Sequence, residues 1–248
     1  MLQQTQAARV EPIFEAFVER FPTVTALAEA PRADVLRAWA GLGYHRRAVA
    51  LHEAAARIVA EHGGRIPSDP VSLRALPGVG PYTSSAVASI AFGAPLAAVD
   101  TNVRRIVARS RLGAEPDEVP PATLAAEAQV ACDPKDAGAW NQAMMDLGRE
   151  VCRARPRCET CPLARGCAFL AAGREGRPST RRQPAFEGST RQVRGAVLAV
   201  LRTEDRATVA ELARCTGHAV ARVREALDGL TRDGVVEPGP RGTYRLPG

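Results

Sequence analysis

The chain has 248 residues, 46% of them hydrophobic, with 33 basic against 27 acidic side chains and a formal net charge of +6. That length and apolar content exclude a wholly disordered polymer and suffice for one large domain or two modest ones, of which two are expected. The charge favours a polyanionic partner, but weakly: Lys135 is the sole lysine, and such an arginine bias can reflect a GC-rich genome. No apolar run reaches the length of a membrane span. MLQQTQAARVEPIF lacks the basic start and apolar core of a signal peptide, so a cytoplasmic protein is expected. In a reducing compartment, clustered cysteines read as metal or cluster ligands before disulfides.

From Thr5 to about Leu170 the chain reads as successive amphipathic helices with short Pro/Gly breaks and no convincing alternating strands. ADVLRAWAGLG and RAVALHEAAARIVAEHGG carry apolar residues at three- and four-residue steps and stop at glycines. In LPGVGPYTSSAVASIAFG, residues 76–93, Gly78 and Gly80 permit a turn with positive φ, and a helix follows from about Pro81. Such a turn aims backbone N–H groups at an anion, a DNA phosphate among them. Asp100 follows the apolar run LAAV and precedes a helix beginning near Asn102, the position of a simple N-cap.

Cys152, Cys158, Cys161 and Cys167 are separated by five, two and five residues. Four thiolates at such spacing can hold zinc or an iron–sulfur cluster, and spacing alone leaves the two comparable. Cys132 and Cys215 stand apart and are expected to be buried structural thiols. Residues 173–192 lose periodicity and gather Gly, Pro, Ser and Arg, as a linker does. Beyond it, RQVRGAVLAVLRT, TVAELARCTG and AVARVREALDGLTRDG predict three helices, the third with Val220, Val223, Leu227 and Leu230 on one face. Two short extended pieces around a Pro/Gly turn complete a winged-helix-like unit over 193–248, suited to DNA or to protein contacts.

The strings MLQQTQ, FPTVTALAEAP, GLGY, LPGVGPYTSSAV, VDTNVRR, NQAMMDLGREVC and CETCPLARGC run in one order from Met1 to about Gly173. Together they resemble the MutY-type adenine DNA glycosylases, within the helix-hairpin-helix, iron–sulfur DNA glycosylase superfamily. The resemblance implies an all-α, two-lobed fold over 1–172 with a cluster loop at 152–167. It also implies excision of adenine mispaired with guanine or 8-oxoguanine from double-stranded DNA, by a monomer in the bacterial cytoplasm and nucleoid. Asp100 matches the carboxylate that stabilises the cationic sugar. Tyr82 stands where the bifunctional endonuclease III relatives carry a lysine, and a phenol forms no imine, so hydrolysis without efficient strand cleavage is expected. Gln4 and Tyr44 match residues that wedge into the DNA stack, and Gly78, Gly80 and Asn102 fall at DNA-contacting positions. Cys152, Cys158, Cys161 and Cys167 match the ligands of a [4Fe–4S] cluster. By the same match, that cluster pins a loop from which Arg153, Arg155, Arg157 and Arg165 present charge to the DNA backbone.

Three departures qualify the resemblance. The first cysteine loop is one residue shorter than the family's. The family's general-acid glutamate precedes the methionine of MLQQTQ, so the chain as written reads as truncated or started late and as an impaired glycosylase; general acid catalysis is typically worth about 10²–10⁴-fold. Nothing after Gly173 resembles the family's 8-oxoguanine recognition domain. Two alternatives stay open: a thymine–guanine mismatch glycosylase, and a non-catalytic DNA-binding or redox-sensing protein.

Overall fold

Side-chain caps set where several helices begin. Thr23, Asp69, Asp136 and Ser189 each accept a backbone N–H from the turn that follows, and Thr208 with Glu211 closes a reciprocal capping box. The computed structural model describes residues 1–2, 5–177 and 185–248. The described helices are α1 (Ala7–Arg20), α2 (Val24–Glu29), α3 (Arg32–Ala38), α4 (Arg46–His62), α5 (Pro70–Ala75), α6 (Pro81–Phe92) and α7 (Thr101–Leu112). They continue with α8 (Pro121–Ala131), α9 (Ala137–Glu150), α10 (Ala168–Ala171), α11 (Thr190–Thr203), α12 (Val209–Thr216) and α13 (Val220–Arg232). Three short strands, β1 (Ala207–Thr208), β2 (Glu237–Pro238) and β3 (Thr243–Arg245), form an antiparallel sheet in the order β1-β3-β2. No described helix is long and apolar enough to cross a membrane.

Packing gathers the chain into two units, Met1–Ile66 with Gln183–Gly248, and Pro67–Arg182. In the first, Val35, Leu36 and Trp39 share one apolar core with Val197, Leu201, Leu212, Val223, Leu227 and Leu230. Truncating one of the buried leucines to alanine would cost about 2–5 kcal/mol. The order α11-β1-α12-α13-β2-β3, with β3 paired to both other strands, is winged-helix-like. Ala207 pairs with Tyr244 and Glu237 with Arg245. Two expectations need correction here. Val220, the first residue of α13, is exposed, whereas Val223, Leu227 and Leu230 are buried. Cys215, near the C-terminal end of α12, is also exposed, whereas Leu212 of the same helix is buried and Cys132 is buried as expected.

Within this unit, Arg202 Nη2 donates to His45 Nε2 at 2.7 Å. Burial, then the guanidinium groups of Arg202, Arg194 and Arg47, push His45 down from 6.5 to about 4. A histidine depressed on folding contributes stability that is complete above its unfolded value and is lost as the pH falls through the folded one. Wild type is therefore expected to lose up to about 3 kcal/mol between pH 6.5 and 4 from this group, at about 1.36 kcal/mol per unit. Urea denaturation of wild type and His45→Gln across that range checks it: the stability of wild type relative to the variant should fall by up to about 3 kcal/mol from pH 6.5 to 4.

The second unit has its own core around Val103, Val107, Ala108, Leu124 and Ala128, on which Trp140, Met144 and Met145 pack.

Candidate active site

Asp100 is reached by an irregular segment that two side chains hold in place. Asn141, fully buried in α9, accepts from Ala98 N at 2.7 Å and donates to Leu96 O at 2.8 Å and Ser89 Oγ at 2.9 Å. Gln129 accepts from Ala97 N at 3.1 Å and donates to Pro95 O at 2.8 Å. Asp100 then caps α7: its Oδ1 accepts from Asn102 N at 2.8 Å and Val103 N at 2.7 Å, and its Oδ2 from Asn102 Nδ2 at 3.0 Å. The N-cap expected of Asp100 is therefore present. A carboxylate at the positive end of a helix, with oriented donors, is a fixed anion.

Tyr82 lies on the first turn of α6, half-buried, and its Oη donates to Met145 Sδ at 3.6 Å. Burial and then the charge of Asp100 push its phenol upward, so it stays neutral. The hairpin that leads to α6 departs from expectation at one glycine. Gly78 takes the left-handed conformation at φ 73°, but Gly80 is the N-cap of α6 at φ −92°. A helix N-cap adopts extended geometry, which does not itself demand glycine. Beyond its chain neighbours, no atom of the described residues lies within 4 Å of where a Gly80 Cβ would stand.

Asn102 also connects Asp100 to the cysteine loop. Arg105 Nη2 donates to Asn102 Oδ1 at 2.8 Å and to Gly148 O at 2.7 Å, while its Nε donates to Cys152 O at 2.5 Å. Gly148 has a steric reason to be glycine: a Cβ there would stand 2.4 Å from Asn102 Cβ and 3.1 Å from its Cα. Gly148→Ala is expected to push α9 off α7 and cost about 1–3 kcal/mol, although alanine is the better helix former. Urea denaturation checks this, and an unchanged or raised midpoint would mean that the contact relaxes freely.

Cys152, Cys158, Cys161 and Cys167 line one cavity with Arg109, Pro156, Phe169 and Leu170. Burial pushes the Cys152 and Cys158 thiols up, and the Arg109 guanidinium acts in the opposite direction on Cys152. Arg109 is only 2% exposed. It pairs twice with buried Glu115, at 2.9 and 3.2 Å, and donates to Arg153 O at 2.5 Å and Ala154 O at 3.2 Å. Its guanidinium stacks on Phe169, whose ring also meets Arg174. Among the described residues, no three His, Cys, Asp or Glu side chains gather as a site for a single metal ion. Arg153, Arg155, Arg157 and Arg165 are exposed on the loop, with Arg153 tied to Glu150 and to Arg149 O.

Tyr44 belongs to the other unit. It is 50% exposed and takes the left-handed region at φ 48°. Arg47 stacks against its ring and against Trp39, and donates to Met1 O at 3.0 Å and Thr5 Oγ1 at 3.1 Å. Two residues of MLQQTQ, Met1 and Thr5, are thus tied to Arg47, which itself touches Tyr44; Gln4 lies outside the described residues. Sequence reasoning passed over Asn141, Gln129, Arg105, Arg109 and Gly148, all of which support predicted residues from a distance along the chain.

Residues 1–128 match the family described as HhH-GPD superfamily base excision DNA repair protein. An adenine DNA glycosylase of Mycolicibacterium smegmatis is 44% identical over 252 residues, spanning 100% of this chain and 85% of that protein. The human adenine DNA glycosylase is 43% identical over 175 residues, which are 67% of this chain and 31% of that protein. Among solved structures, a thermostable thymine-DNA glycosylase superposes with a TM-score of 0.64 at 27% identity, over 69% of this chain and 80% of that one. A trapped endonuclease III–DNA covalent intermediate gives 0.60 at 25% identity, over 69% and 81%.

Proposed function

This chain belongs to the HhH-GPD superfamily of base excision DNA repair proteins, and from that premise we propose that it is a monofunctional glycosylase removing adenine mispaired with guanine or 8-oxoguanine. The observation that carries the reading is the Asp100 carboxylate fixed on the N-terminus of α7 beside a neutral phenol at Tyr82. Breaking the bond from C1′ to the base leaves positive charge on the sugar, which a preorganised anion stabilises. Water supplies the new C1′–O bond, and its proton balances the one taken up by the departing adenine. Tyr82 offers no amine, so no Schiff base forms and the strand stays intact.

The partner in this reading is double-stranded DNA, engaged by a monomer. The Gly78–Gly80 hairpin and α6 face phosphate, Asn102 supports the site, and Tyr44 and Gln4 hold open the stack. Release assays on A:G, A:8-oxoguanine and T:G duplexes test it. Adenine release with strand scission only after alkali is expected, together with no borohydride-trapped adduct. Thymine release would favour the second reading, which rests on the likeness to a thymine-DNA glycosylase. Release of neither base would leave a DNA-binding protein.

Cys152, Cys158, Cys161 and Cys167 would hold a [4Fe–4S] cluster, a reading supported by their four thiols lining one cavity. When bound, the cluster supplies a covalent brace for residues 152–167. Iron and acid-labile sulfide at about four per chain, with a visible absorption band, are expected from aerobically purified protein. Colourless protein holding one zinc per chain would overturn the assignment.

A further inference from the structure

Tyr44 is the described non-glycine residue in a left-handed conformation on the GLGY turn, and that conformation persists only where the surroundings over-determine it. Some of the restraint is local: Trp39 Nε1 donates to Gly43 O at 3.1 Å and Arg47 N to Tyr44 O at 2.8 Å. The next residue, His45, is held from far along the chain. Arg202 of α11 donates to its Nε2 at 2.7 Å, and Arg37 Nε in turn donates to Arg202 O at 3.4 Å. Ala33 N donates to Pro247 O at 2.8 Å, and Val197, Leu198 and Leu201 of α11 share the core of α3 and α4. Arg202 is a donor only, so the imidazole must accept at Nε2 and carry its own proton on Nδ1. A cationic His45 would face Arg202, Arg194 and Arg47 with no lone pair to offer.

We propose that the winged-helix-like segment serves base extrusion: Arg202 is a positioning residue that clamps His45 and so fixes Tyr44 as the DNA wedge. This rests on the reading of Tyr44 as the wedge. The segment after the linker is then a built-in buttress of the lobe that opens the DNA stack, and its removal disarms the wedge without touching Asp100.

The test is a double-mutant cycle in the full chain, with 2-aminopurine replacing the target adenine and its fluorescence reporting extrusion. Arg202→Gln is expected to lower the extrusion equilibrium about tenfold in the wild-type background and to have no further effect in Tyr44→Ala. Arg202→Lys, whose longer chain carries a donor nearer the native Nη2 position than the glutamine amide, should recover part of the loss. A merely structural role would move the thermal midpoint and weaken extrusion equally in both backgrounds, and that additivity would overturn the proposal. Full extrusion by Arg202→Gln while Tyr44→Ala is impaired would overturn it as well. Unimpaired Tyr44→Ala would instead remove the wedge reading, and this proposal with it. If Arg202→Gln does not fold, His45→Leu deletes the same hydrogen bond from the acceptor side and is read in the same cycle.

Discussion

Asp100→Asn is expected to slow base release at least about a hundredfold, the scale of removing one preorganised electrostatic group from a site where charge develops. The substitution isolates charge from architecture. Asparagine is as good an N-cap as aspartate, so its Oδ1 can still accept from Asn102 N and Val103 N, which lie 2.8 and 2.7 Å from the native oxygen. The amide that replaces Oδ2 would face the Asn102 amide donor, and that one contact must rearrange. Stability should therefore change little while single-turnover release collapses. Asp100→Ala would lose the cap too, adding about 1 kcal/mol of destabilisation. Release by Asp100→Asn within a few-fold of wild type would remove the carboxylate from the mechanism.

Arg109→Met should be the most damaging of these changes for stability, by about 3–5 kcal/mol. It strands Glu115, which is 5% exposed, with its charge buried, and it leaves the Arg153 and Ala154 carbonyls without their guanidinium donors. Among the described residues Glu115 retains the weak donor Arg177 N at 3.3 Å, which does not replace a bidentate ion pair. The double variant Arg109→Met/Glu115→Leu removes both charges and should be less destabilised than Arg109→Met alone, because the stranded charge is the larger part of the cost. Urea denaturation of the three proteins checks this, and a cost below about 1 kcal/mol for Arg109→Met would contradict it.

The residues proposed to carry chemistry were legible where they sit in short strings. Asp100 in VDTNVRR, the LPGVG turn and the four cysteines need only local order to be read, and local pattern located α3, α4, α6, α7, α11, α12 and α13, whereas α1, α8 and α9 lie in a stretch read only as successive helices. The supporting residues were not legible, because their partners are distant: Asn141 meets Ala98 across 43 residues, and Arg109 meets Arg153 across 44. Two of them left a local trace. Gly148 interrupts a helix, where glycine costs about 1 kcal/mol relative to alanine and so asks for a packing reason. Arg109 follows Ile106, Val107 and Ala108 on the buried side of α7, a charge where the pattern calls for an apolar residue. The strand β1 is two residues long and carries no periodicity to read. The core that joins 193–246 to the first helices was equally hidden, since a run rich in Gly, Pro and Ser signals a break in the chain and says nothing of where the next segment packs.

The most direct measurement is the affinity of the chain for two duplexes that differ at one abasic position opposite guanine, a cationic pyrrolidine or the neutral tetrahydrofuran. If Asp100 stabilises a cationic sugar, the pyrrolidine duplex binds wild type at least about a hundredfold more tightly, and Asp100→Asn brings the two affinities together. Equal affinity of wild type for both duplexes would contradict the account.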